Sequence, residues 1–296
     1  MKPTRSLLSV EQRRRRREER RAKQRAGNLA RALKMRAARL AYEASGNESV
    51  GSQPSVPRLN IGCSGWFYWH WRDRFYPPGI PTKQWFEHYA SQFDTVELNA
   101  PFYSWPTVGT VGSWARQALG KRFVYTVKVC ELITHVKEFV RTGELIKDFC
   151  FIDRWLGPQM GCFLFQLPPS LHYSPARLKR ILDQLDPGRR NVVEFRHSSW
   201  WNRQTKLAFK KTNTIFCSCS APRLPDELVQ TSDEIYLRFH GTKRWYRHDY
   251  TSDELAAWAK RIRQARPRRV WAYFNNDYGG YAIQGARELL RQLVPK

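Results

Sequence analysis

The sequence predicts an α/β fold, a (β/α)8 TIM barrel with a basic N-terminal extension that is helical or disordered. Three observations predict it. Eight short β-branched or aromatic runs recur between residues 59 and 274. Segments with helix-capping residues and amphipathic patterns separate most of them. About 240 residues is also the usual size of eight such units. Strands alternating with helices give βαβ units and a parallel sheet. An open doubly wound sheet is the alternative, but it usually has fewer strands and often a glycine-rich phosphate loop. Neither GxGxxG nor GxxxxGK[ST] occurs in this chain.

Residues 1–57 read as arm and linker, and residues 58–296 as the barrel domain. The arm, "EQRRRRREERRAKQRAGNLARALKMRAARLAYEAS", is rich in the helix formers Ala and Arg. Leu29, Leu33, Ala37, Leu40 and Ala44 recur at helical spacing and make one narrow apolar stripe. The Gly/Ser/Pro-rich "SGNESVGSQPSVPR" follows as a linker. The arm is therefore expected outside the main domain, either gripping nucleic acid or simply solvated. Glu11, Glu18 and Glu19 interrupt the positive charge that a targeting presequence requires.

The strands are expected at "LNIGC" (59–63), "FDTVEL" (93–98), "FVYTVKV" (123–129) and "GCFLFQ" (161–166). They continue at "NVVEF" (191–195), "TIFCS" (214–218), "IYLRF" (235–239) and "VWAYF" (270–274). Helices are expected at "PTKQWFEHYASQ", "TVGSWARQAL", "SPARLKRILDQL", "TSDELAAWAKRIRQA" and "YAIQGARELLRQL". Several of these open on Pro, Ser or Thr at the first turn.

Composition narrows the partners. With 42% hydrophobic residues the chain can bury one sizeable core, and no run is long and uncharged enough to span a membrane. Six cysteines lie scattered in strand-like segments without a C-x-x-C pair, as reduced core residues of a cytoplasmic protein would. Net charge is +25, and residues 1–50 hold 15 Lys/Arg against 5 Asp/Glu. A polyanion such as nucleic acid is thereby an expected partner; a basic solvated surface is the plainer alternative. Nothing in the sequence specifies an oligomer.

In a barrel the active site lies at the carboxyl ends of the strands. Those ends are polar here: Glu97 and Asn99, Lys128, Gln166, Glu194 and Arg196, Arg238 and His240, Asn275 and Asn276. Side chains alternate with period two, so Glu97/Asn99, Glu194/Arg196 and Arg238/His240 each share a face. The outer face packs on helices, so these pairs must face the barrel mouth. A structural ion-pair plug is the competing reading; repetition over several strands favours a ligand pocket.

Three cations (Lys128, Arg196, Arg238) face two carboxylates, with His135 and His240 nearby, and Arg forks match phosphate. A phosphate-bearing small molecule or nucleic acid is the expected ligand. Glu97 or Glu194 would be the general base and His240 the general acid. Tyr68, Trp71, Phe102, Tyr103 and Trp200 are expected to line the mouth, where rings can stack bases or sugars. No cofactor is expected. A divalent metal on Glu97, Glu194 and His240 is the weaker alternative, because the neighbouring cations repel it, and Cys217-Ser218-Cys219 reads as small core residues before a metal site.

The motifs "IGCSGWFYWHWRDRFYP", "FDTVELNAPFYSWP", "LFQLPPSL", "VVEFRHSSWW", "YLRFHG" and "AYFNND" together resemble, in order and spacing, the domain-of-unknown-function 72 (DUF72, YecE-like) family from about Asn60 to Leu293. The resemblance implies a TIM barrel and brings no established reaction. The family's likeness in shape to endonuclease-IV-like and xylose-isomerase-like barrels suggests a nucleic-acid or sugar-phosphate ligand. A full ligand set like the trinuclear zinc site of such endonucleases is missing. The chain departs from the family pattern in its basic arm and in Cys130-Glu131, where the family usually has a small residue and Pro.

Overall fold

A computed structural model describes residues 9–46 and 58–294. The linker and the boundary after residue 57 lie outside the described residues. Eight parallel strands run β1 (Leu59–Cys63), β2 (Thr95–Leu98), β3 (Val124–Lys128), β4 (Met160–Gln166), β5 (Asn191–Glu194), β6 (Ile215–Ser220), β7 (Glu234–Phe239) and β8 (Arg269–Phe274). Each coincides with an expected run to within two residues. Nearly every strand residue is buried, which is why these segments read as apolar runs rather than alternating ones.

The helices are α1 (Val10–Ala44), α2 (Trp85–Ala90), α3 (Ala100–Tyr103), α4 (Val108–Gln117), α5 (Gly143–Cys150), α6 (Asp153–Leu156), α7 (Pro175–Leu182), α8 (Arg203–Lys211), α9 (Ser252–Ala265) and α10 (Tyr281–Leu293). Side-chain caps start several of them: Thr107 for α4, Ser174 for α7, Asn202 for α8 and Thr251, in a capping box with Glu254, for α9. One expected unit lacks its helix. Between β6 and β7 the chain is irregular and stitched along β6 instead. The Val229 N–H donates to the Ser218 hydroxyl (2.9 Å), and the Thr231 hydroxyl donates to the Thr214 carbonyl (2.6 Å).

Hydrogen-bonded neighbours follow the order β1-β8-β7-β6-β5-β4-β3-β2, which leaves β1 and β2 as the two ends of a nearly closed ring. A side chain bridges them. The Tyr89 hydroxyl accepts from the Cys63 N–H (2.9 Å) and donates to the Thr95 carbonyl (3.0 Å). Gly62 permits the approach: a Cβ there would sit 2.4 Å from the Thr95 carbonyl oxygen.

The barrel interior is layered. At its amino-terminal end Glu234 accepts from Trp271 Nε1 (2.7 Å), Arg190 (3.2 Å) and Arg269. Above it Tyr273 joins Thr95 (2.7 Å) and Thr126 (2.9 Å), among Cys162, Leu164, Val192 and Cys217. All six cysteines are unpaired and buried. No helix among the described residues is long and apolar enough to cross a membrane.

Helix α1 corrects the expectation of an arm outside the main domain. It does not stand free: Asn28, Ala32, Met35 and Arg39 are buried against the barrel. Asn28 takes the Trp105 N–H (3.0 Å) and donates to the Tyr103 carbonyl (3.1 Å), while Arg36 and Arg39 both bind the buried Asp148 at 2.9 Å. The leucine stripe lies off the docked face, with Leu29, Leu33 and Leu40 about half exposed. Polar anchors, not leucines, choose the face, because the buried Asp148 requires cationic partners.

Candidate functional site

Parity delivers the expected side chains to the barrel mouth. Glu97, Glu194, Arg238 and His240 are fully buried there, with Lys128 and Gln166 nearly so. Arg238 is the hub. Its Nη1 donates to Glu194 (2.6 Å) and its Nη2 to Glu97 (2.5 Å), while its Nε has no partner among the described residues. Glu97 also accepts from the Tyr236 hydroxyl (2.6 Å), the Ser64 hydroxyl (2.7 Å) and, at 3.4 Å, Asn99. Glu194 also accepts from Arg196, and His240 lies 3.4 Å from it. Asn275 reaches His240 Nδ1 at 3.3 Å, and Arg196 Nη2 reaches Nε2 at 3.2 Å.

This arrangement sets the protonation states. Burial alone would raise the Glu194 carboxyl; the adjoining Arg196 and Arg238 guanidiniums outweigh it and hold it well below the usual carboxylate range. His240 is pushed well below its ordinary value by burial and by the same two cations, so its imidazole is neutral near pH 7. Lys128 is the exception among the cations. Burial and the nearby Arg238 bring its ammonium down to about 7. Among the described residues it meets no carboxylate directly; its Nζ lies 3.7 Å above the Phe102 ring. His135, edge-on to the same ring, is lowered to about 4 by burial and the Lys128 charge, with Gln166 at 3.5 Å.

A cavity of about 600 Å³ opens beside this cluster, bordered by Gln166, Arg196, His197, Trp245 and Tyr246. The Arg196 guanidinium carbon lies over the Trp245 ring, 4.5 Å from its centre. A larger hollow of about 760 Å³ lies outside the barrel, between the end of α1, α5 and α7, and holds none of the strand-end residues.

Other expected residues serve elsewhere. Trp200 is fully buried, stacked on Phe195 at 4.1 Å with its Nε1 on the Leu171 carbonyl, so it packs the wall rather than lining the mouth. Trp71 is buried too, donating to Asp277 (2.8 Å), and Tyr68 donates to the Ser64 carbonyl (2.5 Å). Tyr103 is exposed at the rim. Asn276 is fully buried and holds the His248 carbonyl (2.8 Å), fixing the loop after β7.

Sequence reasoning does not single out Tyr236 and Ser64, although Tyr236 stands two residues before Arg238 and shares its parity. It also does not single out Trp245 and the His70–Asp277 pair (2.8 Å), which come from loops without a period. Among the described residues, the possible metal ligands that gather within 4.8 Å are Glu194, Cys217 and Cys219, not Glu97, Glu194 and His240. Both oxygens of Glu194 already face guanidiniums.

Known proteins share this architecture. A curated relative, UPF0759 protein YunF of Bacillus subtilis (strain 168), is 25% identical over 282 residues, covering 79% of this chain and 94% of that protein. The crystal structure of a DUF72 family protein from Thermotoga maritima MSB8 superposes with a TM-score of 0.72 at 24% identity, covering 80% of this chain and 99% of that one. A DUF72 family protein from Enterococcus faecalis V583 gives 0.69 at 19% identity, covering 80% and 98%. The family model described as "Protein of unknown function DUF72" matches residues 60–296, and the chain belongs to that family.

Proposed function

We propose that the chain is an enzyme that takes a phosphate-bearing sugar or nucleotide at the barrel mouth and transfers a proton through Lys128. The observation that carries this reading is the state of that amine. Held near pKa 7 within charge range of Arg196, which edges the cavity, it can accept and return a proton at neutral pH. This moves the general base from the carboxylates to the lysine. Glu97 and Glu194 are saturated by Arg238, Arg196, Tyr236 and Ser64, and His240 is neutral. They act as positioning residues that hold the guanidiniums toward an incoming anion.

Sulfate tests the binding half, because its charge is fixed across the relevant pH range. An anion beside Lys128 favours the ammonium, so sulfate should bind with proton uptake and weaken as pH rises through about 7. Titration calorimetry in buffers of different ionisation enthalpy reads that proton directly. No uptake in the native chain, or an unchanged uptake in Lys128→Met, refutes the assignment. A panel of sugar phosphates and nucleotides then tests turnover: one member should be consumed by the native chain and by neither Lys128→Met nor Lys128→Arg. The full engagement of both carboxylates favours a second reading, a recognition module. Binding of a panel member without any conversion would select it.

A further inference from the structure

Helix α1 meets the barrel first at Gln24 and Asn28, which bind Tyr103 in the segment after β2 on the mouth side, and Gln24 also reaches Glu131 just past β3 (3.0 Å). Arg36 and Arg39 bind Asp148 farther down, on α5. The helix thus runs from the mouth toward the opposite end. Val10–Lys23 continues past the rim for about 21 Å at the usual rise per residue. Residues 11–23 are exposed throughout.

At about 100° per residue, the face that docks through Gln24, Asn28, Ala32, Met35 and Arg39 continues past the rim as Arg13, Arg14, Arg17 and Arg21, with Arg20 at its margin. Glu11 and Glu19 fall on other sides, Glu19 pairing with Arg15 (3.1 Å), while Glu18 lies at the edge of this face, in line with Arg36, and pairs with Arg14 (3.1 Å). Arg21 is close enough for its charge to act on Glu131 at the rim. Among residues 11–23 the side of the helix turned toward the space above the mouth is therefore dominated by arginine, with Glu18 at its edge.

We propose that this arginine face and the aromatic rim below it hold single-stranded nucleic acid, phosphates along α1 and bases over the mouth. The rim favours a single strand over a duplex. Phe67, Trp69, Tyr103, Tyr246 and Tyr278, from the segments after β1, β2, β7 and β8, are 43–66% exposed, and open rings stack unpaired bases. The helix disfavours a lipid surface: residues 11–23 contain no large apolar side chain, and an interfacial helix needs an apolar face. The proposal goes beyond the chemistry assigned to Lys128 and does not depend on it.

Fluorescence anisotropy with a labelled oligothymidylate and the full chain tests it. Arg13→Gln/Arg14→Gln/Arg17→Gln/Arg21→Gln should weaken binding at least tenfold at low salt and flatten the log–log salt slope by roughly 3, about 0.7 for each phosphate no longer neutralised. The charge-matched control Arg15→Gln/Arg16→Gln/Lys23→Gln/Lys34→Gln, on the remaining faces, should weaken it less than threefold. Equal losses in the two variants would reduce the effect to net charge and overturn the proposal. So would tighter binding to a duplex of equal length, or to phosphatidylserine vesicles. The sulfate titration reads Lys128 separately, so either proposal can fail alone.

Discussion

Glu194 has no accessible surface, and the guanidiniums of Arg196 and Arg238 close on its two oxygens. Removing it strands two buried cations, so Glu194→Ala should cost about 3–5 kcal/mol in urea unfolding. A loss near zero would show that the cations find water. Its contribution is complete above the ordinary glutamate value of 4.5 and drains away as pH falls below it, since the folded state holds the carboxyl lower. Lys128 has the opposite sign. The unfolded lysine titrates near 10.5 and the folded one near 7, so between those values the unfolded chain binds more protons and stability rises with pH. Lys128→Met should therefore stabilise the protein at pH 6.5 by up to about 5 kcal/mol, since each tenfold loss of proton affinity on folding costs about 1.4 kcal/mol, and the gain should shrink toward pH 10. A pH-independent difference would refute the lowered lysine. At this scale much of the mouth is legible in the sequence, because strand parity alone fixes where Glu97, Glu194, Arg238 and His240 point. Trp200 and Asn276 lie beyond strand ends, where no period applies, and there composition does not separate a rim residue from a wall residue.

Among the elements, α1 is where pattern misleads most. Its leucines suggest an apolar stripe, yet the docked face is marked by Asn28, Arg36 and Arg39, whose partners Trp105 and Asp148 lie over 75 residues away. No local signal announces such pairs. The two departures from the family's motif pattern, the arm and Glu131, touch one another through Gln24 (3.0 Å). Deleting residues 1–46 should accordingly destabilise the barrel by about 2–4 kcal/mol, through re-exposed apolar surface and the loss of both cations on Asp148. Urea melts of the full and truncated chains measure it, and coincident curves would mean that the docking carries no energy.

Across the whole molecule, all eight strands are legible because each is a short buried run and helical segments separate most of them, the irregular stretch between β6 and β7 being the exception. The manner of closure is not, since it depends on side chains across the β1/β2 gap, the Tyr89 hydroxyl on α2 first among them. Tyr89→Phe leaves the Cys63 N–H and the Thr95 carbonyl without that partner and should cost about 1–3 kcal/mol. Gly62→Ala drives a methyl group against the Thr95 oxygen and should cost about as much through strain. Either variant as stable as the native chain would show that the junction has slack.

A ring fastened at one junction by a phenol instead of a backbone ladder is, mechanically, a ribbon with a clasp. When the clasp releases, β1 and β2 can part while the seven ladders stay intact, so this opening needs far less free energy than global unfolding. The Cys63 amide should then exchange with deuterium faster than the ladder amides of β5 and β7. The same parting would draw the Ser64 hydroxyl away from Glu97, 2.7 Å across the gap. Loading the mouth with an anion should thus slow exchange at Cys63, a breathing motion of the scaffold that reports on occupancy from outside the pocket.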